Sequence, residues 1–334
     1  MNPSEARHRG IHGLSLAVPS ALAFGAAGPF SKAVLLAGAL SPLRLAQFRI
    51  TAAALVLLVI VGVRRWRRPP SGYRWSRADV ALVLAYGALG FVAVQLCYFF
   101  AIDRLPVGVA LLFEYTSVVI VAVYAATVQH RPQPRAVWIG AVLAVVGLVV
   151  LTEPWSGFSL SLLGALAGCG AAVCSAAYFL LGEHGTSRLP VLELVTYSAC
   201  AGAVLLALLV PWWSFPFGAL RHTAAFADRA WPAWILLAIV VLVGTVIAYM
   251  LGVAALGHLP SPTATVIATL EIVAGTVASW ILLHEHLTTS EIVGGSFIFA
   301  GVIVVAERAR ISPDGAFAAT IIAQPDRRDR STAL

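Results

Sequence analysis

The stretch "ALLFEYTSVVIVAVY", Ala110 to Tyr124, is almost wholly apolar, yet it holds a carboxylate, Glu114. Charged side chains are excluded from the middle of a bilayer unless they face a cavity or a partner. The fold therefore turns on whether the flanking sequence is built for lipid. It is: 60% of the 334 residues are hydrophobic and 11% are charged, and the mean hydropathy is +0.90. A soluble domain carries about a quarter charged residues.

Crossing the hydrocarbon core takes about 20 apolar residues. Ten such runs are predicted: 14–38, 43–63, 79–102, 106–127, 135–152, 159–182, 190–213, 232–256, 262–283 and 289–307. Prolines punctuate them at Pro42, Pro106, Pro134, Pro190 and Pro262. A proline fits the first helical turn, where its missing N–H has no helical partner anyway. The expected class is an all-α integral membrane protein. A basic "RHRG" precedes the first run with no A-x-A cleavage site, so that run reads as a span and not as a cleaved signal peptide.

Arginine sets the orientation. With the N-terminus inside, one side receives Arg7, Arg9, Arg64, Arg65, Arg67, Arg68, Arg74, Arg77, Arg131, Arg135, Arg188, Arg308 and Arg310. Arg104, Arg221 and Arg229 fall on the other. Both termini come out cytoplasmic in a multi-pass cell-membrane protein. Residues 1–13 read as a cytoplasmic tail and 308–334 as a second, poorly ordered one. The same pattern explains the net charge of +7 without a nucleic-acid partner. Trp155, Trp212, Trp213, Trp231 and Trp234 fall near the outer ends, as an interfacial belt would.

The chain repeats itself. At an offset of 154, Leu105-Pro106 falls on Leu259-Pro260, Val92 on Val246, Ala101 on Ala255, Ala110 on Ala264, Gly140 on Gly294 and Gly147 on Gly301. Two units follow, 14–152 and 159–307, of five spans each. Five is odd, so the second copy crosses in the opposite sense. Inverted repeats with a site between the halves are the architecture of secondary transporters.

The closing segment "LPSPTATVIATLEIVAGTVASWILLHEHLTTSEIVGGSFIFAGVIVV" (259–305) is similar to the end of an EamA-type repeat. On it and the repeat pattern, residues 14–307 resemble the ten-span branch of the drug/metabolite transporter superfamily. Two positions depart from that family's usual pattern: Ile272 stands where a proline is typical, and His284-Glu285 where Gly-Glu is typical. The stretch "LPVGVALLFEYTSV" (105–118) looks like the threonine/homoserine exporter branch, which also carries a glutamate here. The resemblance implies export of small polar metabolites by alternating access. A multidrug exporter, or an importer or exchanger on the same fold, is the alternative.

Four ionisable residues lie well inside spans: Lys32, Arg49, Glu114 and Glu271. At about 1.5 Å per residue, Glu114 lies roughly 12 Å below the outer start of its helix, and Lys32 and Arg49 roughly 9 Å from theirs. All three could meet in the outer half, with Lys32 or Arg49 as the partner of Glu114. Glu114 reads as a ligand for a substrate amine or as a proton carrier; a buried ion pair that only fixes packing is the plainer reading. Glu271 falls by the offset on Ser117, one helical turn from Glu114. Gln95, Tyr98, Tyr115, Tyr178, Tyr249 and Trp280 are weaker candidates, with Gln95 falling on Tyr249 by the offset. Gly164, Gly168 and Gly170 fit close helix crossings, and Gly294, Gly295 and Gly301 could also serve a seam between two copies.

No cofactor or metal is expected. The four cysteines lack metal spacing, and residues i and i+2 of "HEH" (284–286) face apart on a helix. No P-loop is present for ATP coupling, and no catalytic constellation is found, so the chain is not read as an enzyme.

Overall fold

The computed structural model describes residues 3–38, 40–67, 75–153, 161–227, 229–284 and 286–311. Arg68, Arg74, Trp155, Glu285 and the tail from 312 onward lie outside the described residues. Among the described residues, ten helices are long and apolar enough to cross a membrane. They are α1 (Arg7–Leu36), α2 (Pro42–Arg67), α3 (Arg77–Ile102), α4 (Val107–Thr127) and α5 (Arg135–Thr152), then α6 (Leu162–Thr186), α7 (Val191–Leu209), α8 (Ala233–Leu256), α9 (Ser261–Leu283) and α10 (Thr289–Arg310).

Local chemistry sets their ends. Pro106, Pro134, Pro190, Pro232 and Pro260 occupy N-cap positions. At α3, Ser76 and Asp79 form a reciprocal capping box, and Arg188 donates from the α6–α7 turn to Asp79 at 2.8 Å. One expectation changes at the chain's start. Helix begins already at Pro3, within the segment expected as a tail. It also runs unbroken through Pro19 and Pro29. Gly10 packs on the Ala309 carbonyl, which puts both ends of the described chain at one end of the bundle. We call this the terminal end and the other the distal end.

The repeat is visible in the backbone. Single π-helical turns interrupt α3 at Gly87–Ala93 and α8 at Leu242–Ile247, the same places to within one residue once 154 is added. α4 breaks at Thr116 and α9 at Thr269, and in each case the threonine hydroxyl donates to the carbonyl three residues earlier, at 2.5 Å and 2.6 Å. His130 and His284, again 154 apart, both take left-handed backbone after these helices, with φ of 50° and 55°. Packing follows the same pairing: α1 lies on α8 and α9 as α6 lies on α3 and α4. α5 and α10 cross with Gly140 on Gly301 and Gly147 on Gly294. One partner number rises as the other falls, so these equivalent helices run antiparallel. Gly294 and Gly301 are therefore used within the chain, against α5.

One region departs from an all-helical reading. Between α7 and α8, two short strands, β1 (Thr223–Phe226) and β2 (Arg229–Pro232), pair antiparallel. Phe215, Ala219, Ala224 and Phe226 bury against Ala33 and Val34 of α1, Leu40 of the α1–α2 turn and Leu45 of α2. Arg44 holds the preceding turn, donating to the Pro211 carbonyl at 3.1 Å and to Ser214 at 2.6 Å. Gln47, fully buried, donates to the Val210 carbonyl.

Candidate functional site

The centre of the bundle holds a cavity of about 390 Å³. Its walls come from α1, α2, α3, α4, α6, α8 and α9, with α5, α7 and α10 outside. α1 contributes along most of its length, from Ala17 through Gly28 to Leu35, at the spacing of one helical face.

Eight of the ten residues singled out in the sequence line this cavity: Arg49, Gln95, Tyr98, Glu114, Tyr115, Tyr178, Tyr249 and Glu271. The ionisable ones lie within electrostatic reach of one another: Glu114 faces Glu271 and Arg49, and Glu271 faces Arg49 and Tyr115. Tyr98 is within electrostatic reach of both carboxylates. The Arg49 Nε is buried without a hydrogen-bond partner among the described residues. A buried guanidinium donor without an acceptor is unfavourable, and an anionic ligand oxygen would supply one.

The other two do not belong to the cavity. Lys32 is exposed and lies one step past the edge of the α1 face that lines the site; of the two cations expected as partners of Glu114, Arg49 is the one that lines the cavity with it. Trp280 is nine residues beyond Glu271, half a turn off in projection, and is 49% exposed on the outside of the bundle.

The backbone explains why the acids meet. Glu114 stands two residues before the α4 break and Glu271 two residues after the α9 break. Gly25 of α1 packs directly on the Glu271 carbonyl; a side chain there would clash. On the α8 side, Ser20 donates to the Ala248 carbonyl at 2.7 Å, at the end of the π-turn. Such turns loosen the helical ladder and often mark functional sites. An aromatic cluster forms one wall: Tyr249 stacks on Phe91 at 4.5 Å and meets Phe24 edge-on at 5.0 Å, and Tyr178 stacks on Tyr86 at 5.3 Å.

Sequence reading missed Ser20, Ser31 and Ser175, which line the cavity. A serine in a span carries no signal until its helix face is known. It also missed how the terminal end closes. Leu14, Ala17, Ala21, Ala255, Leu259 and Ala264 pack together there. Below them Glu183 accepts from Arg131 at 2.9 Å, from the Ser261 N–H at 2.9 Å and from the Ser261 hydroxyl. Its side chain is 11% exposed. Glu183 lies one residue past the expected end of its span, where it passed as loop. At the distal end the lining opens: Gly28 is exposed, and Leu35, Pro42, Phe99 and Leu111 are half-buried.

The chain matches the model of the EamA-like transporter family twice, over residues 11–153 and 162–306. Among curated proteins it is similar to the threonine/homoserine exporter RhtA of Salmonella typhimurium (strain LT2), 29% identical over 73% of this chain and 75% of that one. The Escherichia coli (strain K12) RhtA is 28% identical, with the same coverage. The pseudopaline exporter CntI of Pseudomonas aeruginosa (strain PAO1) is 26% identical over 70% of this chain and 78% of its own. A crystal structure superposes with a TM-score of 0.66 over 92% of this chain and 98% of that chain at 20% identity, a likeness of fold alone. With two matches that together take in most of its length, and ten apolar helices among the described residues, this chain is a multi-pass membrane transporter and not an enzyme, and it belongs to the EamA-like transporter family.

Proposed function

We propose that the protein exports small zwitterionic metabolites, of the amino-acid class, from the cytoplasm across the cell membrane. The observation that carries this reading is the convergence of two carboxylates and one guanidinium in one small cavity. Arg49 offers a fork for a substrate carboxylate, and a glutamate offers an acceptor for its ammonium group. About 390 Å³ lies at the small end of the roughly 300–1,000 Å³ usual for ligand sites, which favours a compact solute. The exporters among the relatives support the same class.

Two acids face one arginine, so a bound zwitterion leaves one carboxylate over. That surplus group is the place for an exchanged proton. The two units, related as inverted repeats, would expose the site alternately to the two sides. The arginine-rich terminal end supports a cytoplasmic location for both termini.

The test is counterflow in proteoliposomes with a panel of amino acids, at fixed and at collapsed proton gradient. Exchange of a neutral amino acid, lost in Glu114→Gln and Arg49→Gln, is the expected result. Exchange of amphipathic cations alone would overturn the substrate class, and wild-type exchange by both variants would overturn the site.

A further inference from the structure

A second concavity, of about 760 Å³, lies on the outer surface between α3 and α7. It is independent of the transport site and has two distinct parts. Val80, Leu84, Val204 and Leu208 make an apolar trough whose walls are all exposed. At its terminal end Arg65 and Trp75 stand over Tyr197.

The trough runs along α7 from Tyr197 to Leu208, roughly 16 Å at 1.5 Å per residue. Half of a hydrocarbon core of about 30 Å is about 15 Å, the depth of one leaflet. Its depth comes from small residues: Ala88 of α3 and Ala201 of α7 line it, and the helices close below it where Gly87 packs against Ser198 and Ala201. The mouth has the chemistry of a headgroup site. Arg65 is 41% exposed; it lies 5.8 Å from the Tyr197 ring and only loosely, at 3.6 Å, from Glu193. Trp75 meets Tyr197 edge-on at 5.1 Å, as interfacial aromatics do. Arg64 and Arg67 are exposed on the same turn of α2 and add positive charge at this end of the helix.

We propose that this groove is a binding site for one anionic glycerophospholipid. An acyl chain fills the trough and the phosphate group sits at Arg65, with Arg64 and Arg67 adding positive potential. Ala88 belongs to the π-turn of α3, and two residues on Gly90 lines the transport cavity. The lipid therefore presses on the segment that carries Gln95 and Tyr98.

Native mass spectrometry of the full chain, released from micelles with equal phosphatidylglycerol and phosphatidylcholine, tests the site. The wild type is expected to retain one phosphatidylglycerol in preference to phosphatidylcholine. Val204→Trp fills the trough at a position 61% exposed, where folding is little affected, and removes the bound lipid. Leu208→Trp, nearer the distal end, repeats that test. Arg65→Gln keeps an acyl occupant but lowers the headgroup preference about fivefold. Equal retention of both lipids by the wild type, undiminished phosphatidylglycerol in both tryptophan variants, or a second protein copy in place of lipid would overturn the proposal.

Discussion

The two halves of the chain match in where their helices are interrupted and differ in their polar groups. α3 and α8 carry the same π-turn, and α4 and α9 the same threonine break. The acids, however, sit on opposite sides of those breaks, Glu114 before Thr116 and Glu271 after Thr269. Their repeat counterparts are Ala268, which lines the cavity, and Ser117, which is buried and receives a hydrogen bond from Ser175 at 3.2 Å. The ends differ more. Ser261 at the start of α9 is buried on Glu183, while its counterpart at the start of α4, Val107, is 54% exposed. The scaffold is therefore near-symmetric, and a few side chains decide which end is shut.

The largest expected effect comes from removing the charges that the repeat does not require. Losing one partner of a buried, hydrogen-bonded charge pair costs about 2–5 kcal/mol, at least about 30-fold in affinity. Glu114→Gln and Arg49→Gln should lose substrate affinity by that order in a binding titration, with Ala268→Glu giving no rescue. Wild-type affinity in both would remove the polar centre from the comparison.

Breaking the seal at the shut end comes next. Glu183→Gln leaves the Arg131 and Ser261 donors poorly matched, a loss of about 1–3 kcal/mol for a group of this kind. In a cysteine-free background, Ala17→Cys should become markedly more reactive toward an impermeant thiol reagent applied at the terminal end. Unchanged labelling would show that the apolar cluster seals that end without Glu183.

Neighbouring glycines sharpen the third contrast. A side chain at Gly147 would meet the Gly294 carbonyl at 2.5 Å, whereas one at Gly295 would meet only Val273, at 3.9 Å. Gly147→Val should lower the stability by about 1–3 kcal/mol, and Gly295→Val should leave the melting temperature near that of the wild type. Equal melting of the two would deny α5 and α10 their close crossing.

The smallest effect is electrostatic. Partial burial, then His12 and Arg9, hold the His258 pKa below the ordinary histidine value. The neutral form is the one the fold favours, so its contribution is complete above about pH 6.5 and declines as the pH falls. His258→Gln should flatten the acid side of a plot of melting temperature against pH. An acid side as steep as in the wild type would assign the decline to other groups.

Much of this was legible in the sequence, and the misses share a cause. A charge in an apolar run is costly wherever the helix turns, so Arg49, Glu114 and Glu271 stood out before any geometry was known. Depth along the helix was legible too, since it needs only a count. The azimuth around the helix was not. Lys32 has a suitable depth but the wrong angle, and Trp280 faces the opposite way from Glu271. The π-turns lay out of reach because the sequences GALGFVA and LVGTVI suit an α-helix equally well. Arg44 and Gln47 were unremarkable until the turn after α7, at 210–214, folded back onto them.

Those two π-turns have a mechanical consequence. A turn of this kind holds one residue more than the α-helix around it, so α3 and α8 each store a residue of play. If that residue were passed along the helix, everything beyond it would advance like a screw thread, by about 1.5 Å and about 100°. On α3 the thread carries Gln95 and Tyr98; on α8 it carries Tyr249 and Gly252. A quarter-turn at each of two mirrored threads would exchange the faces that look into the cavity while leaving the glycine crossing of α5 and α10 in place as the fixed frame.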